Sequence, residues 1–442
     1  MRRNFRIFRD LRGKLYGLFF DICGSAVLPP SFLFPAPLKT SSLVRIIFAA
    51  VVSVSLAGCA SYPEVSSFYQ VAPGPLRGRP GDLIRTEPIP GAPSGATAVR
   101  ILYLSTGVDG SLIPVSAVVI FPTAASASGP RKVVAWGHAT SGIATACAPS
   151  LYEGRVFATV PGLKDLLARG YVVTATDYPG LGAPGPHPYL VGLTGGRSVI
   201  DSVRAVRRLP AANAGSRFVA WGHSQGGQAA LFAGEIARSY APELNLVGVV
   251  AVSPATDLSG LLRANNESLS GRLFAAYCLS SWSKVYGAPL DPLATPEMQR
   301  AVANVASDCT KSPADAIKLS VDLLGLRSGF PVRDGGTIEP WRSLLARNNP
   351  GQTRVGVPIF VAQGTSDEIV RPVFTNTWVS AARRRGETVR YVTLEDIAHL
   401  LASDASAATA RSWVEDRFAG KPAPNDNLLD NNYHPGRGRQ IF

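Results

Sequence analysis

The sequence has few charged residues and no grouping of metal-binding side chains, and each shortage excludes a class of protein. Charged residues make up 17% of the 442 residues and hydrophobic residues 46%, which excludes a disordered chain and is typical of a globular protein with a large core. No CxxC pair or His/Cys cluster occurs, so neither a metal nor another cofactor is expected. No internal repeat is found, which leaves one large domain with an insertion, or two domains.

The net charge of +13 does not indicate a nucleic-acid-binding protein. The first 58 residues hold eight Lys/Arg and only two Asp/Glu, and the remaining excess is spread without long runs. No helix-turn-helix, zinc-finger or base-stacking signature accompanies that charge. We therefore expect no nucleic-acid partner.

The first 58 residues are typical of an export signal with a leader before it. Val44–Ser61 has one basic residue, an apolar stretch that is short for a spanning helix, and then Leu-Ala-Gly-Cys ending at Cys59. That ending resembles the lipobox of bacterial lipoproteins, which implies that Cys59 is lipidated and attaches the protein to a membrane of the cell envelope. An ordinary signal peptide, with secretion, or a simple anchor helix is the alternative.

Residues 1–42 form a long, basic, proline-interrupted stretch that is unusual in front of such a signal. We expect translation to start near Leu43 or Val44.

Five cysteines are present, at positions 23, 59, 147, 278 and 309. If Cys59 is lipidated and Cys23 removed, three cysteines remain in an oxidising compartment, which predicts one disulfide and one free thiol. Three pairings among Cys147, Cys278 and Cys309 stay open.

Short β-branched runs alternate with helical patterns beyond a Pro/Gly-rich tether at 59–95, and this alternation predicts an α/β fold with a mostly parallel sheet of about eight strands. Several runs are continuously apolar, as expected for strands covered on both faces. The first two runs predict an antiparallel hairpin at one edge. The predicted core covers 96–257 and 351–420, a helical cap or lid covers 258–350, and an irregular tail covers 421–442. The predicted strands are 99–105, 115–121, 132–137, 171–177, 218–222, 246–253, 358–364 and 389–394.

A serine lies between two glycines where one predicted strand ends and a helix begins. Gly222-His223-Ser224-Gln225-Gly226 follows a buried strand, and this strand–turn–helix setting is typical of a nucleophile elbow. Glycines on both sides of the serine relieve crowding in such a turn. Ser224 is therefore the predicted nucleophile, and a tight turn with a buried serine is the alternative.

A serine needs a base to remove its proton, and the base needs an acid to orient it. His399 and His434 are the histidines that follow Ser224, and His399 is preferred because it lies between the last strand and the last helix. Asp367 is the predicted acid because it follows the preceding strand closely. Glu368 and Asp396 are the alternatives for that role.

An oxyanion hole needs two backbone N–H donors, one of them from the residue after the nucleophile. Gln225 supplies that donor. The loop after the strand at 132–137 supplies the other, with Thr140 preferred and Ala139 or His138 as alternatives. His138 is otherwise predicted to support that loop, and His223 to pack beside the elbow.

Several segments resemble the secretory lipase family of α/β-hydrolases over about residues 95–418. They are "VVAWGHATSGIATACAPS", "ATDYPGLGAPGPHPYLVG", "VAWGHSQGGQAALFAGEIA", "QGTSDEIVRP" and "DIAHL". The resemblance implies an α/β-hydrolase fold with a helical lid, lipase or esterase activity, and a triad of Ser224, Asp367 and His399. Ala139 departs from the family, where glycine is common, and Leu400-Leu401 implies a narrowed pocket.

The combined prediction is an exported serine ester hydrolase that cleaves a small-molecule or lipid ester through an acyl-enzyme. A serine peptidase or an acyltransferase on the same fold is the first alternative. A non-catalytic envelope lipoprotein with a degenerate hydrolase scaffold is the second.

Overall fold

The computed structural model describes residues 66–430 except 73, 127, 128, 153, 266, 267, 311, 312 and 327–329. The predicted leader and signal at 1–58, the predicted start near Leu43 or Val44, and Cys59 lie outside the described residues. His434 and the tail from 431 onward lie outside them as well. Among the helices that are described, none has the length and apolar character needed to cross a membrane.

A single sheet of ten strands runs through the described part of the chain. Its order is β1-β2-β3-β5-β4-β6-β7-β8-β9-β10. β2 pairs antiparallel with β1 and β3, and β3 pairs antiparallel with β5, whereas all later neighbours are parallel. The strands are β1 Leu83–Ile89, β2 Ala96–Thr106, β3 Leu112–Pro122, β4 Arg131–Gly137, β5 Val172–Thr176, β6 Ala214–His223, β7 Asn245–Val252, β8 Ile359–Gly364, β9 Val389–Leu394 and β10 Asn427–Asp430.

The predicted α/β class and mostly parallel sheet are confirmed, and all eight predicted strands are present as β2 to β9. The sheet extends beyond the predicted core limits, because β1 lies in the range predicted as a tether and β10 in the range predicted as an irregular tail. The predicted hairpin of β2 and β3 forms, but β1 lies outside it as the edge strand. β1 contains charged residues and Pro88, and β10 is only four residues long. Both features are common in edge strands, and because of them neither β1 nor β10 forms the continuous apolar run by which the other strands are predicted.

Helices cover both faces of the sheet and bury two separate apolar layers. α3, α4 and α10 pack on one face, and α2 and α11 on the other. The α-helices are α1 Arg155–Thr159, α2 Leu163–Ala168, α3 Gly192–Val206, α4 Gln225–Tyr240, α5 Leu258–Asn265, α6 Leu269–Tyr286, α7 Pro296–Val305, α8 Pro313–Leu323, α9 Trp341–Arg347, α10 Pro372–Arg384 and α11 Ala402–Phe418. Short 3₁₀ helices occur at Ser67–Tyr69, Thr145–Cys147, Pro149–Leu151, Pro210–Ala212, Gly335–Thr337 and His399–Leu401.

Five helices, α5 to α9, separate β7 from β8 and coincide with the range predicted as a helical insertion. We call this range, 258–347, the helical segment. It has its own apolar core, in which the rings of Trp282 and Trp341 stack with centroids 5.8 Å apart. The helical segment therefore has an apolar core that is separate from the two layers covering the sheet.

Candidate active site

Ser224 occupies a sharp turn between β6, which ends at His223, and α4, which begins at Gln225. Its φ of 57° and ψ of −116° are strained values for a residue with a side chain. Glycines are required on both sides: a Cβ at Gly222 would lie 2.0 Å from the Gly226 carbonyl oxygen, and a Cβ at Gly226 would lie 1.9 Å from the Gly137 carbonyl oxygen. We call Gly222–Gly226 the nucleophile elbow.

The three side chains predicted as a catalytic triad form one hydrogen-bonded series. His399 Nε2 lies 2.9 Å from Ser224 Oγ, and His399 Nδ1 lies 2.7 Å from Asp367 Oδ2. A carboxylate can only accept, so Nδ1 carries the proton of the neutral ring and Nε2 keeps a lone pair for the serine hydroxyl. All three side chains are buried. The arrangement is that of a serine activated by an oriented imidazole.

Asp367 is held in its ionised form. Its Oδ1 accepts hydrogen bonds from the backbone N–H groups of Ile369, at 3.0 Å, and Val370, at 2.8 Å. Burial alone would raise the pKa of this carboxyl, but the positive charge that His399 carries when protonated, its hydrogen bond and the Val370 N–H lower that pKa below its ordinary value. A carboxylate that stays charged keeps the imidazole in the tautomer that faces Ser224.

The alternative acids and bases do not enter this series. Glu368 and Asp396 are exposed. His138 is buried, and its Nε2 lies 3.3 Å from the Asp177 carbonyl oxygen and its Nδ1 2.6 Å from that of Ala139. Burial lowers the pKa of His138, so the ring is neutral and donates its single N–H to one of these two oxygens. Its contacts are those of a support for the loop after β4.

Two further residues contact the series. Gln363 Nε2 donates to Asp367 Oδ2 at 3.0 Å, and its Oε1 accepts from Thr375. His223 Nε2 lies 3.0 Å from the His399 carbonyl oxygen and is its donor, and burial lowers the pKa of His223 to about 3, so the ring stays neutral beside His399. The prediction that His223 packs beside the elbow does not include this contact. Gln363 has no sequence signal beyond being a polar residue inside an apolar strand.

The two predicted oxyanion donors follow the carboxyl ends of two neighbouring parallel strands, β4 and β6. Gly137, the last residue of β4, is the register partner of Gly222 in β6. Gln225 is the first residue of α4, where N–H groups have no partner within the helix. Thr140 lies on the loop after β4, and its Oγ1 is 2.9 Å from the Tyr189 hydroxyl. An oxyanion formed at Ser224 would meet the positive end of α4.

The loop after β4, residues 138–152, is attached to the helical segment. We call it the β4 loop. Cys147 and Cys309 form a disulfide, which settles the pairing left open by the sequence, and Cys278 is a buried free thiol. Thr310 donates its N–H to Ser141 O at 3.0 Å and its hydroxyl to Thr140 O at 3.1 Å. The helical segment therefore holds the β4 loop by a covalent bond and by hydrogen bonds.

Within the part of the chain that the structure describes, no group of three or more His, Cys, Asp or Glu side chains is arranged to hold a metal ion.

Comparison with known proteins gives a consistent set of relatives. The model of a family described as secretory lipase matches residues 158–426. The protein named probable inactive lipase MT1628, from Mycobacterium tuberculosis, is 26% identical over 81% of this chain and 83% of its own length. Lipase 6 of Candida albicans is 26% identical over 86% of each chain. The closed state of Candida antarctica lipase A has a TM-score of 0.65 at 19% identity, over 79% of this chain and 86% of that one, and this likeness shows the shared fold.

Proposed function

The chain belongs to the secretory lipase family of α/β-hydrolases, which are lipase-like carboxylic ester hydrolases, and on that premise we propose that it is an exported serine hydrolase of lipid esters. The observation that carries the proposal is the hydrogen-bonded series from Ser224 Oγ through His399 to Asp367. The same series supports activity in this chain, although one of its relatives is named as inactive.

The proposed reaction has two half-reactions. Ser224 Oγ attacks the ester carbonyl carbon while its proton passes to His399 Nε2. That proton then goes to the departing alkoxide oxygen, the alcohol leaves, and the acyl group stays on Ser224. His399 next takes a proton from water, whose oxygen attacks the acyl carbon, and return of the proton to Ser224 Oγ releases the carboxylic acid.

The negative oxygen of each tetrahedral intermediate would be bound by the backbone N–H groups of Gln225 and Thr140. Loss of one such donor typically lowers kcat by roughly a hundred- to a thousand-fold. The α4 N-terminus adds its partial positive charge on the same side.

A lipid rather than a small soluble ester is proposed as substrate because helix α8 has apolar residues on two faces. Leu319 and Leu323 are buried in the helical segment. On the other face Ile317 is 44% exposed and Val321 is 61% exposed, and Leu324, the residue just after the end of α8, is 72% exposed. Exposed apolar stripes of this kind suit contact with a lipid surface. The helical segment would then act as the cap or lid of the pocket.

Export is supported by the family and by the Cys147–Cys309 disulfide, which suits an oxidising compartment. Lipidation of Cys59 is proposed from the Leu-Ala-Gly-Cys motif. The test is incorporation of radiolabelled palmitate and partition into detergent by the wild type and by Cys59→Ala, with Cys278→Ala, at a cysteine outside the motif, as the matched control. Equal labelling of all three proteins would refute lipidation at this residue.

The activity test is hydrolysis of p-nitrophenyl esters from acetyl to palmitoyl by the purified protein. Ser224→Ala should lower kcat/KM at least about a thousand-fold, because the hydroxyl bonded to His399 is lost. Ser239→Ala, at an exposed serine near the end of the same helix, is the matched control and should keep full activity. A folded wild type without turnover would reject an esterase in favour of a peptidase, an acyltransferase or a non-catalytic lipoprotein.

A further inference from the structure

A three-residue segment, His187–Tyr189, contacts the side chains of both residues proposed as oxyanion donors, and we call it the strap. On one side it contacts Gln225. His187 Nδ1 lies 2.8 Å from the Pro179 carbonyl oxygen, which can only accept, so Nδ1 carries the proton. Nε2 is then free to accept from the side-chain Nε2 of Gln225 at 3.1 Å. Burial lowers the pKa of His187 to about 3, so the ring stays a neutral acceptor.

On the other side the strap contacts Thr140. The Tyr189 hydroxyl lies 2.9 Å from Thr140 Oγ1, and the Tyr189 ring is buried against Tyr277 of α6. One short run of chain therefore bonds the side chains of both residues whose N–H groups are the proposed oxyanion donors.

The helical segment fixes the strap in place. The hydroxyl of Ser281 in α6 accepts from the Tyr189 N–H at 2.9 Å and donates to the His187 carbonyl oxygen at 2.7 Å. The next residue, Trp282, donates its ring N–H to the Tyr189 carbonyl oxygen at 2.8 Å. The backbone of the strap is thus bonded at three points to a single turn of α6.

Backbone strain at the residue after the strap also indicates that this part of the chain is held in one conformation. Leu190 has a φ of 53°, which is unfavourable for a residue with a side chain. The Leu190 carbonyl oxygen accepts a hydrogen bond at 3.2 Å from the side chain of Gln228, which lies one turn after Gln225 in α4. A strained backbone conformation persists only where the surrounding structure holds it, so the strap and Leu190 have a single backbone conformation.

We propose that the strap is a positioning element for the oxyanion hole, through which helix α6 of the helical segment sets the placement of Gln225 and Thr140. The inference rests on the proposed function and extends it, because His187 and Tyr189 act through those residues and do not touch the reacting atoms. Oxyanion stabilisation requires donors placed to within a fraction of an ångström, and small displacements lower kcat more than they raise KM.

The test removes each strap contact by itself. Tyr189→Phe removes only the hydroxyl that contacts Thr140. His187→Asn keeps a donor near Pro179 but loses the acceptor for Gln225, whereas His187→Gln restores an acceptor at the Nε2 position. We expect Tyr189→Phe and His187→Asn each to lower kcat roughly ten-fold with KM within about two-fold, and His187→Gln to recover most of that loss.

A second measurement distinguishes positioning from general stability. A short-chain alkyl trifluoromethyl ketone forms a tetrahedral adduct with a serine, and its affinity should fall by the same factor as kcat. Tyr240→Phe is the matched control, since its hydroxyl contacts Thr106 and Asp201 rather than the elbow or the strap, and it should leave kcat and inhibitor affinity unchanged.

Folded strap variants with kcat within about two-fold of the wild type would overturn the inference and leave the proposed function intact. So would a rise in KM at unchanged kcat, which would make the strap part of the substrate pocket. A wild type that does not hydrolyse esters, or a Ser224→Ala variant that still does, would overturn the proposed function and the strap inference with it.

Discussion

The elbow and the β4 loop flank the same serine, but they are held by different kinds of contact. The elbow is fixed by backbone packing, since a Cβ at Gly222 or at Gly226 would overlap the backbone of Gly226 or of Gly137. The β4 loop is fixed by side chains from distant parts of the chain, including Cys309, Thr310 and Tyr189. The first arrangement depends on local steric exclusion, and the second on the whole tertiary structure.

The β4 loop has a second anchor at its far end. Asp177, just after β5, accepts hydrogen bonds from the Ser150 N–H at 3.0 Å and from the Ser150 and Ser116 hydroxyls. Arg100 donates to the Ser150 carbonyl oxygen from two of its nitrogens. The elbow is therefore held by backbone packing, which neither titrates nor can be reduced, whereas the β4 loop depends on a disulfide and a buried carboxylate.

The largest loss of stability is expected from Gly226→Ala, which introduces a steric clash within the elbow. The added Cβ would lie 1.9 Å from the Gly137 carbonyl oxygen, so the end of β4 and the start of α4 must separate. We expect a loss of more than about 5 kcal/mol in the free energy of unfolding, or no soluble protein, measured by urea denaturation.

Gly195→Ala is the matched control for this change. It adds the same methyl group to a helical glycine in α3, where the nearest atom is the Ala229 Cβ at 3.1 Å. Its free energy of unfolding should lie within about 1 kcal/mol of the wild type. A stable, active Gly226→Ala protein would show that steric exclusion does not fix the elbow, and the contrast between the elbow and the β4 loop would not hold.

The same contrast explains which features the sequence predicts. The elbow, His399 and Asp367 are predictable because a strand, a turn and a short motif lie within a few residues of each other. Apolar runs likewise predict β2 to β9, since buried parallel strands need continuous apolar residues.

The remaining features depend on contacts between distant segments. The Cys147–Cys309 pairing spans 162 residues, and the strap is joined to Ser281 across a separation of 94 residues. Neither leaves a local pattern in the sequence. β1 and β10 escape prediction for a related reason: each is an edge strand whose pairing with β2 or β9 defines it more than its own composition does.

The second-largest effect is expected from removing the disulfide with Cys147→Ala and Cys309→Ala together. Closing a loop of 162 residues restricts the unfolded chain, and the loop-entropy relation gives about 5 kcal/mol of stabilisation. We expect a loss of that order in urea denaturation, together with a lower kcat because the β4 loop is released.

Cys278→Ala leaves the disulfide intact and should cost no more than about 1 kcal/mol. Unfolding of the double variant within about 1 kcal/mol of the wild type would show that the hydrogen bonds of Thr310 hold the β4 loop without the covalent bond.

The smallest effect is expected from Asp177→Asn, and it appears as a change with pH. Burial outweighs the hydrogen bonds of Ser116 and Ser150 and the charge of Arg100, and it raises the pKa of Asp177 from 3.8 to about 6. The folded state therefore binds the proton more tightly than the unfolded state, so wild-type stability contributed by this group is lost as the pH rises from about 4 to above 6. An amide at this position cannot ionise, so the variant should gain roughly 2–3 kcal/mol relative to the wild type between about pH 4 and pH 7.

This change is measured as the difference in urea-denaturation free energy between variant and wild type at several pH values, so a constant cost of the altered hydrogen bonds cancels. Asp109→Asn is the control: hydrogen bonds from Ser111 lower the pKa of this exposed carboxyl, so this variant should lose rather than gain stability relative to the wild type as the pH rises. A flat difference for Asp177→Asn would mean that the carboxylate is as well stabilised in the fold as in water. In that case the β4 loop, like the elbow, would rest on a support that does not respond to pH over this range, and the two sides would differ only in the disulfide.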